Sequence, residues 1–150
     1  MKKIVLLQVK FVLQVSLLFV FSFCKGNCMS ETFYKIIPVS YFDKDNLENC
    51  TKPIELDIKS GFMHFSYKHQ VNGVLQKFFN KFEQNNFVQI IILEIDPEVL
   101  QKNGSELRVE ANKPGGEKYP HLYGSQKIPI KAVKKIIVFK KDSAGFWDKF

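Results

Sequence analysis

Arginine is nearly absent. Against 21 lysines the chain holds Arg108 alone. Guanidinium is the group that makes bidentate contacts to phosphates and base edges. A chain with one arginine is therefore a poor reader of nucleic-acid sequence, even at a formal net charge of +7. The lysines are spread along a chain also rich in Asn, Ile and Phe, and they read as a solvated face. Histidine and cysteine number three each, with no CxxC pair and no Cys/His spacing of a metal site. No glycine-rich loop follows a strand, which removes both the P-loop and the dinucleotide fingerprint. Neither internal repeats nor a long linker break the chain. Its 150 residues, 45% hydrophobic and 25% charged, fit one globular domain.

The first residues stand apart. Lys2 and Lys3 precede an apolar run from Phe11 to Cys24, interrupted by Gln14, Ser16 and Ser22, and small residues follow. This order of charge, apolar run and small residues reads as a secretory signal peptide over residues 1–26. The run is short for a membrane span, which needs roughly 20 apolar residues. Losing residues 1–26 takes four of the 22 basic residues and leaves a charge of +3 against 15 acids. Secretion is thus one expectation. A start at Met29 would make the chain cytoplasmic. Sequons at Asn49 and Asn103 accord with the first, and Cys28 and Cys50 are then free to pair or to stay as thiols.

From residue 31 to 142 the pattern is that of one α+β domain, with residues 143–150 as a C-terminal tail. "TFYKIIPV" reads as a strand stopped by Pro38, and "SYFDKDNLEN" as a short helix capped by Ser40. In "GFMHFSYKHQV", period two puts Phe62, His64 and Ser66 on one face and Met63 and Phe65 on the other. Ser66 is placed to cap a long helix to about Phe82, striped by Val71, Val74, Leu75, Phe78 and Phe82. "FVQIIILEI", nearly continuous in apolar residues, is expected to be central. Asp96-Pro97 opens a short helix. "SELRVEA" alternates, with Glu106, Arg108 and Glu110 facing one way. "YPHLYG" reads as a turn with aromatic anchors, and "VKKIIVFK" as the last strand.

Chemistry concentrates at His64 and Ser66 with Gln70 nearby, at Arg108 and Glu110, at His121 between Tyr119 and Tyr123, and at Tyr34 and Lys35. Each has a plain structural reading. A buried histidine must be hydrogen-bonded, and a backbone carbonyl would suffice. Arg108 and Glu110 make a surface pair or a ladder with Glu106. Lys35 reads as a solvated amine and His69 as an exposed residue.

In order and spacing, "GFMHFSYKHQV", "LEIDPEVL", "LRVEANKPGGEKYPHLYG" and "IPIKAVKKI" resemble the domain of unknown function 952 family, from about Tyr34 to Val138. That family is similar in fold to the ADP-ribosyltransferase superfamily, a split pair of small antiparallel sheets around an NAD-binding cleft. The resemblance implies this architecture here, with one long helix. It marks His64, Ser66, Gln70, Arg108, Glu110, His121 and Tyr123. It makes His64, His121 and Glu110 the candidate catalytic residues. Ser66, Gln70, Arg108, Tyr123 and Tyr34 become candidates for ligand binding, and no metal ligand is assigned. His64 would hold a ribose and Tyr123 or Tyr34 would stack. Glu110 would stabilise the cationic ribose centre, and Arg108 would meet a pyrophosphate. Val109 and Asn112-Lys113 stand where some members have Trp and Ser-Arg, so a second arginine is missing. Some members carry a glutathione-transferase label, for which no thioredoxin-like pattern exists here.

The expected function is therefore a nucleotide-like ligand cleft, with NAD as the candidate cofactor, in an ADP-ribosyltransferase-like or degenerate enzyme. The alternative is a secreted, non-catalytic binding domain for a small anion or a peptide. Hydrolysis with Glu110 or His121 as general base is a third reading.

Overall fold

A computed structural model of the chain describes residues 31–80, 89–102 and 104–150. The segment 1–26, Cys28, Met29, Phe82 and Asn103 lie outside the described residues, and with them the expectations placed there. Among the described residues, two antiparallel three-stranded sheets make up an α+β fold. The first contains β1 (Phe33–Pro38), β3 (Gln89–Ile95) and β6 (Val133–Lys140), in the order β1-β3-β6. The second contains β2 (Met63–His64), β4 (Glu106–Ala111) and β5 (Lys118–Tyr123), in the order β2-β5-β4. The apolar strand β3 is central, as its nearly continuous hydrophobicity predicts.

Just past β2, the two sheets meet edge to edge. Tyr34 N–H donates to Ser66 O at 2.8 Å and Ser66 N–H to Tyr34 O at 2.9 Å. Period two on β1 and β3 divides the interior. Phe33, Ile37, Ile91, Leu93 and Ile95 pack with Met63, Phe65 and Leu122 of the second sheet. Tyr34, Ile36, Ile90 and Ile92 pack on the other side with Val71, Leu75, Phe79 and Trp147. The end of the chain closes this second core. The Phe150 ring lies 5.3 Å from that of Tyr34, and Phe150 N–H donates to Asn72 Oδ1 at 2.8 Å.

Four local expectations are corrected. The segment after β1 makes a single 3-10 turn, Val39–Tyr41, in place of a helix. Its Asp43 and Asn46 side chains accept from the backbone of Asp45 and Asn49, drawing the chain into turns. Ser66 is no cap; it is buried at the sheet junction. The one long helix is a succession of a 3-10 turn (Lys68–Gln70), α2 (Val71–Val74) and a π turn (Leu75–Phe79). Asn80 N–H donates to Leu75 O at 3.2 Å, five residues back. This wider turn brings i+4 positions into line, so Phe79 is buried and Phe78 looks outward. Finally, "YPHLYG" is a strand, β5, not a turn. Pro120 O accepts from Phe65 N–H at 2.9 Å, so its own nitrogen points at the same neighbour. Having no N–H, it ends the β2–β5 ladder there, which is where a strand proline is tolerated.

The helix α1 (Glu55–Ser60) precedes β2. Asp57 accepts from Ile54 N–H at 3.1 Å and so caps its start. Gly61, at φ +77°, ends it in the left-handed conformation that glycine adopts without strain. The helix α3 (Pro97–Gln101) opens as expected, with Asp96 Oδ1 accepting from Glu98 N–H at 3.0 Å. No helix among the described residues is long and apolar enough to cross a membrane.

Candidate functional site

Register builds the site. His64 on β2 is paired with His121 on β5, and His121 with Arg108 on β4. Glu106 lies opposite Tyr123 and Glu110 opposite Tyr119. Alternation then sends these side chains to the face turned away from the shared core, while Leu107, Leu122 and Met63 fill the core. The two histidine rings stand edge to face with centroids 4.9 Å apart. Phe62, presented by the Gly61 turn, packs its ring 4.7 Å from His64, 4.5 Å from His121 and 4.8 Å from Tyr123.

Each imidazole is held by its own carboxylate. His64 Nδ1 lies 3.1 Å from Asp57 Oδ1, and His121 Nδ1 lies 3.2 Å from Glu110 Oε1. The Tyr123 hydroxyl donates to the same Glu110 oxygen. The hydrogen bonds from Tyr123 and His121 hold the Glu110 carboxyl below the usual carboxylate range, and the bond to Glu110 raises the Tyr123 phenol. An ionised carboxylate only accepts, so each Nδ1 carries a proton, and the neutral form of either ring has its lone pair on Nε2. His121 is 1% exposed, and its buried Nε2 has no hydrogen-bond partner among the described residues. Burial lowers the His121 pKa, against the opposing pull of the Glu110 bond.

Behind His64 lies an ion pair. Lys35 Nζ is 2.6 Å from Asp57 Oδ2, and both side chains are buried. Lys35 also donates to His64 O at 3.1 Å. The solvated amine expected at Lys35 is thus corrected to a core ammonium. Burial pulls Lys35 below its ordinary value. Burial also works to raise the Asp57 pKa, but the bonds from His64 and the charge of Lys35 outweigh it and leave Asp57 lowered.

Arg108 pairs with Glu106 and not with Glu110. Its Nε and Nη2 donate to the two Glu106 oxygens at 2.8 and 2.7 Å. Its guanidinium lies 4.3 Å from the Tyr123 ring centroid. His64, His121, Glu110, Tyr123 and Arg108 therefore gather on one face. Gln70 does not join them. It accepts from Tyr67 N–H at 2.9 Å and donates to Glu117 and Lys118 O at 2.9 and 2.8 Å, a clamp between the helical segment and β5. Ser66 and Tyr34 line a cavity of about 170 Å³ beside the sheet junction, together with His64, Tyr119, Phe78 and Lys77. His64 belongs to both the cavity and the polar face.

Asp57 and Phe62 are members of the site that the sequence did not single out. An aspartate in the first turn of a helix closed by Gly61 is a legible capping signal, but its contact with Lys35 spans 22 residues. Cys50 is a buried free thiol whose pKa is pushed up to about 11 by burial. The sequon residue Asn49 is half-buried and its Oδ1 accepts from Ile128 N–H at 3.1 Å. Among the described residues no group of three or more His, Cys, Asp or Glu is arranged to hold a metal ion.

The fold and this face define a small α+β domain with two antiparallel sheets and a histidine–carboxylate cluster on one of them. A family model described as Protein of unknown function (DUF952) matches residues 36–136, and the chain belongs to that family. Among solved structures it is similar to protein CC0527 from Caulobacter crescentus. The crystal structure of that protein aligns with a TM-score of 0.59 and 24% identity, covering 78% of this chain and 93% of that one. The crystal structure of a double mutant of the same protein aligns equally well, with a TM-score of 0.59. Its solution structure aligns with a TM-score of 0.56 over 77% of this chain and 90% of that one. At this identity the likeness speaks for the fold alone. No curated protein matches the chain.

Proposed function

We propose that the protein binds a nucleotide-like ligand, with NAD the candidate, across the cavity and the histidine face, as an ADP-ribosyltransferase-like or degenerate enzyme. The observation that carries the reading is the buried, unpartnered Nε2 of His121 beside a second histidine whose Nδ1 is likewise taken by a carboxylate. In their neutral forms two adjacent rings, with centroids 4.9 Å apart, suit hydroxyl donors such as those of a ribose. Phe62 and Tyr123 offer faces for a flat ring. Glu110, ionised at neutral pH, suits the positive charge that builds at a ribose carbon as nicotinamide leaves.

The charges of this face bear on where a ligand's phosphates would lie. The carboxylates of Asp57, Glu106 and Glu110 outnumber the permanent cations Lys35 and Arg108, so phosphates would lie at the cavity and not against the histidines. Arg108 is engaged by Glu106, which leaves Lys77 at the cavity as the cation for a ligand's phosphates. Secretion, directed by residues 1–26, is part of this proposal, and N-terminal sequencing of the chain from culture medium reads it directly.

The test is a calorimetric titration with NAD, ADP-ribose and AMP, beside a His64→Ala/His121→Ala variant. Ligand at 100 times its dissociation constant adds about 2.7 kcal/mol of stability. Saturable binding lost in the variant supports the reading and leads to an assay for nicotinamide release. A folded protein that binds none of the three contradicts it. Binding of a peptide or a small anion instead would favour the non-catalytic alternative.

A further inference from the structure

We propose that Asp57, with Lys35 behind it, is a positioning residue of the histidine face: it fixes the ring orientation and tautomer of His64 and leaves Nε2 free to accept from a ligand. Its relevance to a ligand rests on the function proposed above; its effect on the His64 ring does not.

One carboxylate grips His64 twice. Asp57 Oδ1 accepts from the His64 backbone N–H at 3.0 Å and lies 3.1 Å from the ring Nδ1. Oδ2 accepts from Lys35 Nζ at 2.6 Å and from Ile54 N–H at 3.1 Å. All four contacts come from donors, so the carboxylate is saturated as an anion. Its side chain is 0% exposed, so no water competes for it. Lys35 adds a third tie to the same residue through His64 O at 3.1 Å. Backbone and ring of His64 are thus referred to one buried point, shared by α1 and β1. Among the described residues Nε2 makes no hydrogen bond; the His64 side chain is 17% exposed, and the residue is one of those lining the cavity. Carboxylates that hold the far nitrogen of a working histidine act in this way at metal sites, where removing them costs ~10–100-fold in affinity or activity. His121 and Glu110 repeat the arrangement on the neighbouring strands, but Glu110 is 41% exposed and pairs with no lysine among the described residues. The buried dyad is the rigid one.

The experiment is a two-bond nitrogen–proton correlation spectrum of the ¹⁵N-labelled protein at neutral pH. The wild-type protein is compared with Lys35→Met/Asp57→Leu, which removes both charges together and leaves neither unpaired. The wild type is expected to show His64 as the Nδ1–H tautomer. The folded variant is expected to show a mixture or the Nε2–H form, with NAD affinity lowered ~10–100-fold. An Nε2–H tautomer in the wild type overturns the proposal whatever the variant does, including failure to fold. So does a folded variant whose His64 spectrum is unchanged. If the wild type binds no NAD while the tautomer shifts as expected, the ligand reading fails and the positioning role stands.

Discussion

Replacing Lys35 by methionine tests the buried pair at the centre of the molecule. Lys35 and Asp57 are 1% and 0% exposed and 2.6 Å apart. Methionine keeps an unbranched stem but removes the ammonium, which lies 5.7 Å from the Phe65 ring centroid, and leaves the Asp57 charge without its cation. Breaking a buried pair on one side costs about 3–5 kcal/mol, because the remaining charge is stranded in a poor solvent. Asp57 keeps its hydrogen bonds from Ile54, the His64 backbone and the His64 ring, so the lower end, about 3 kcal/mol, is expected. In urea, with a slope of roughly 1–3 kcal/mol per M, the unfolding midpoint falls by about 1.5 M. Adding Asp57→Asn removes the stranded charge while keeping an acceptor for His64. The double variant is therefore expected to recover part of the loss. The assay is urea unfolding followed by fluorescence of Trp147, with the slope checked for constancy. A midpoint shift below about 0.3 M for the single variant, or a double variant no more stable than the single, refutes the reasoning.

Further outcomes follow from other contacts. Asp96→Ala removes the cap of α3 and is expected to cost about 1 kcal/mol, a lowering of the thermal midpoint by about 4 °C. Phe62→Ala removes three ring contacts, each worth roughly 0.5–1.5 kcal/mol, and should lower stability by about 2 kcal/mol in the same urea assay. Burial lowers the His121 pKa from its ordinary value of about 6.5. The unfolded chain thus takes up the proton first, and stability is lost as pH falls from about 6.5 through the folded value. His121→Gln should flatten the stability curve in that window. Asp57, also lowered, holds its contribution above about pH 4 and loses it as pH falls through its folded value, so the His121 variant keeps the second, more acidic decline.

What can be read from the chain is local and periodic. The apolar run of β3, the Asp96-Pro97 start of α3 and the alternation of Glu106, Arg108 and Glu110 need only short-range physics. The same alternation correctly groups His64 apart from Met63. What stays hidden depends on contacts far along the chain. Pro120 punctuates "YPHLYG" like a turn, and only the shortness of β2 makes it acceptable within a strand. Phe79 takes the buried place expected for Phe78 because a π turn shifts the phase. Lys35 reads as a surface amine because its partner lies 22 residues away, in "CTKPIELDIKSG", whose pattern fits a connection or a short element equally. The family resemblance groups His64 with His121, and the β2–β5 register pairs them, but nothing in the spacing assigns one carboxylate to each ring. Arg108 has a neighbour of opposite charge on either side, and nothing in the spacing chooses Glu106 over Glu110.

The most direct test of the ligand reading is to follow the ring signals of His64 and His121 by NMR as NAD is added to the wild-type protein. The account predicts that both rings shift together and saturate at one dissociation constant, while the exposed His69 stays in place. Unmoved rings at millimolar NAD, or shifts confined to His69, would contradict it.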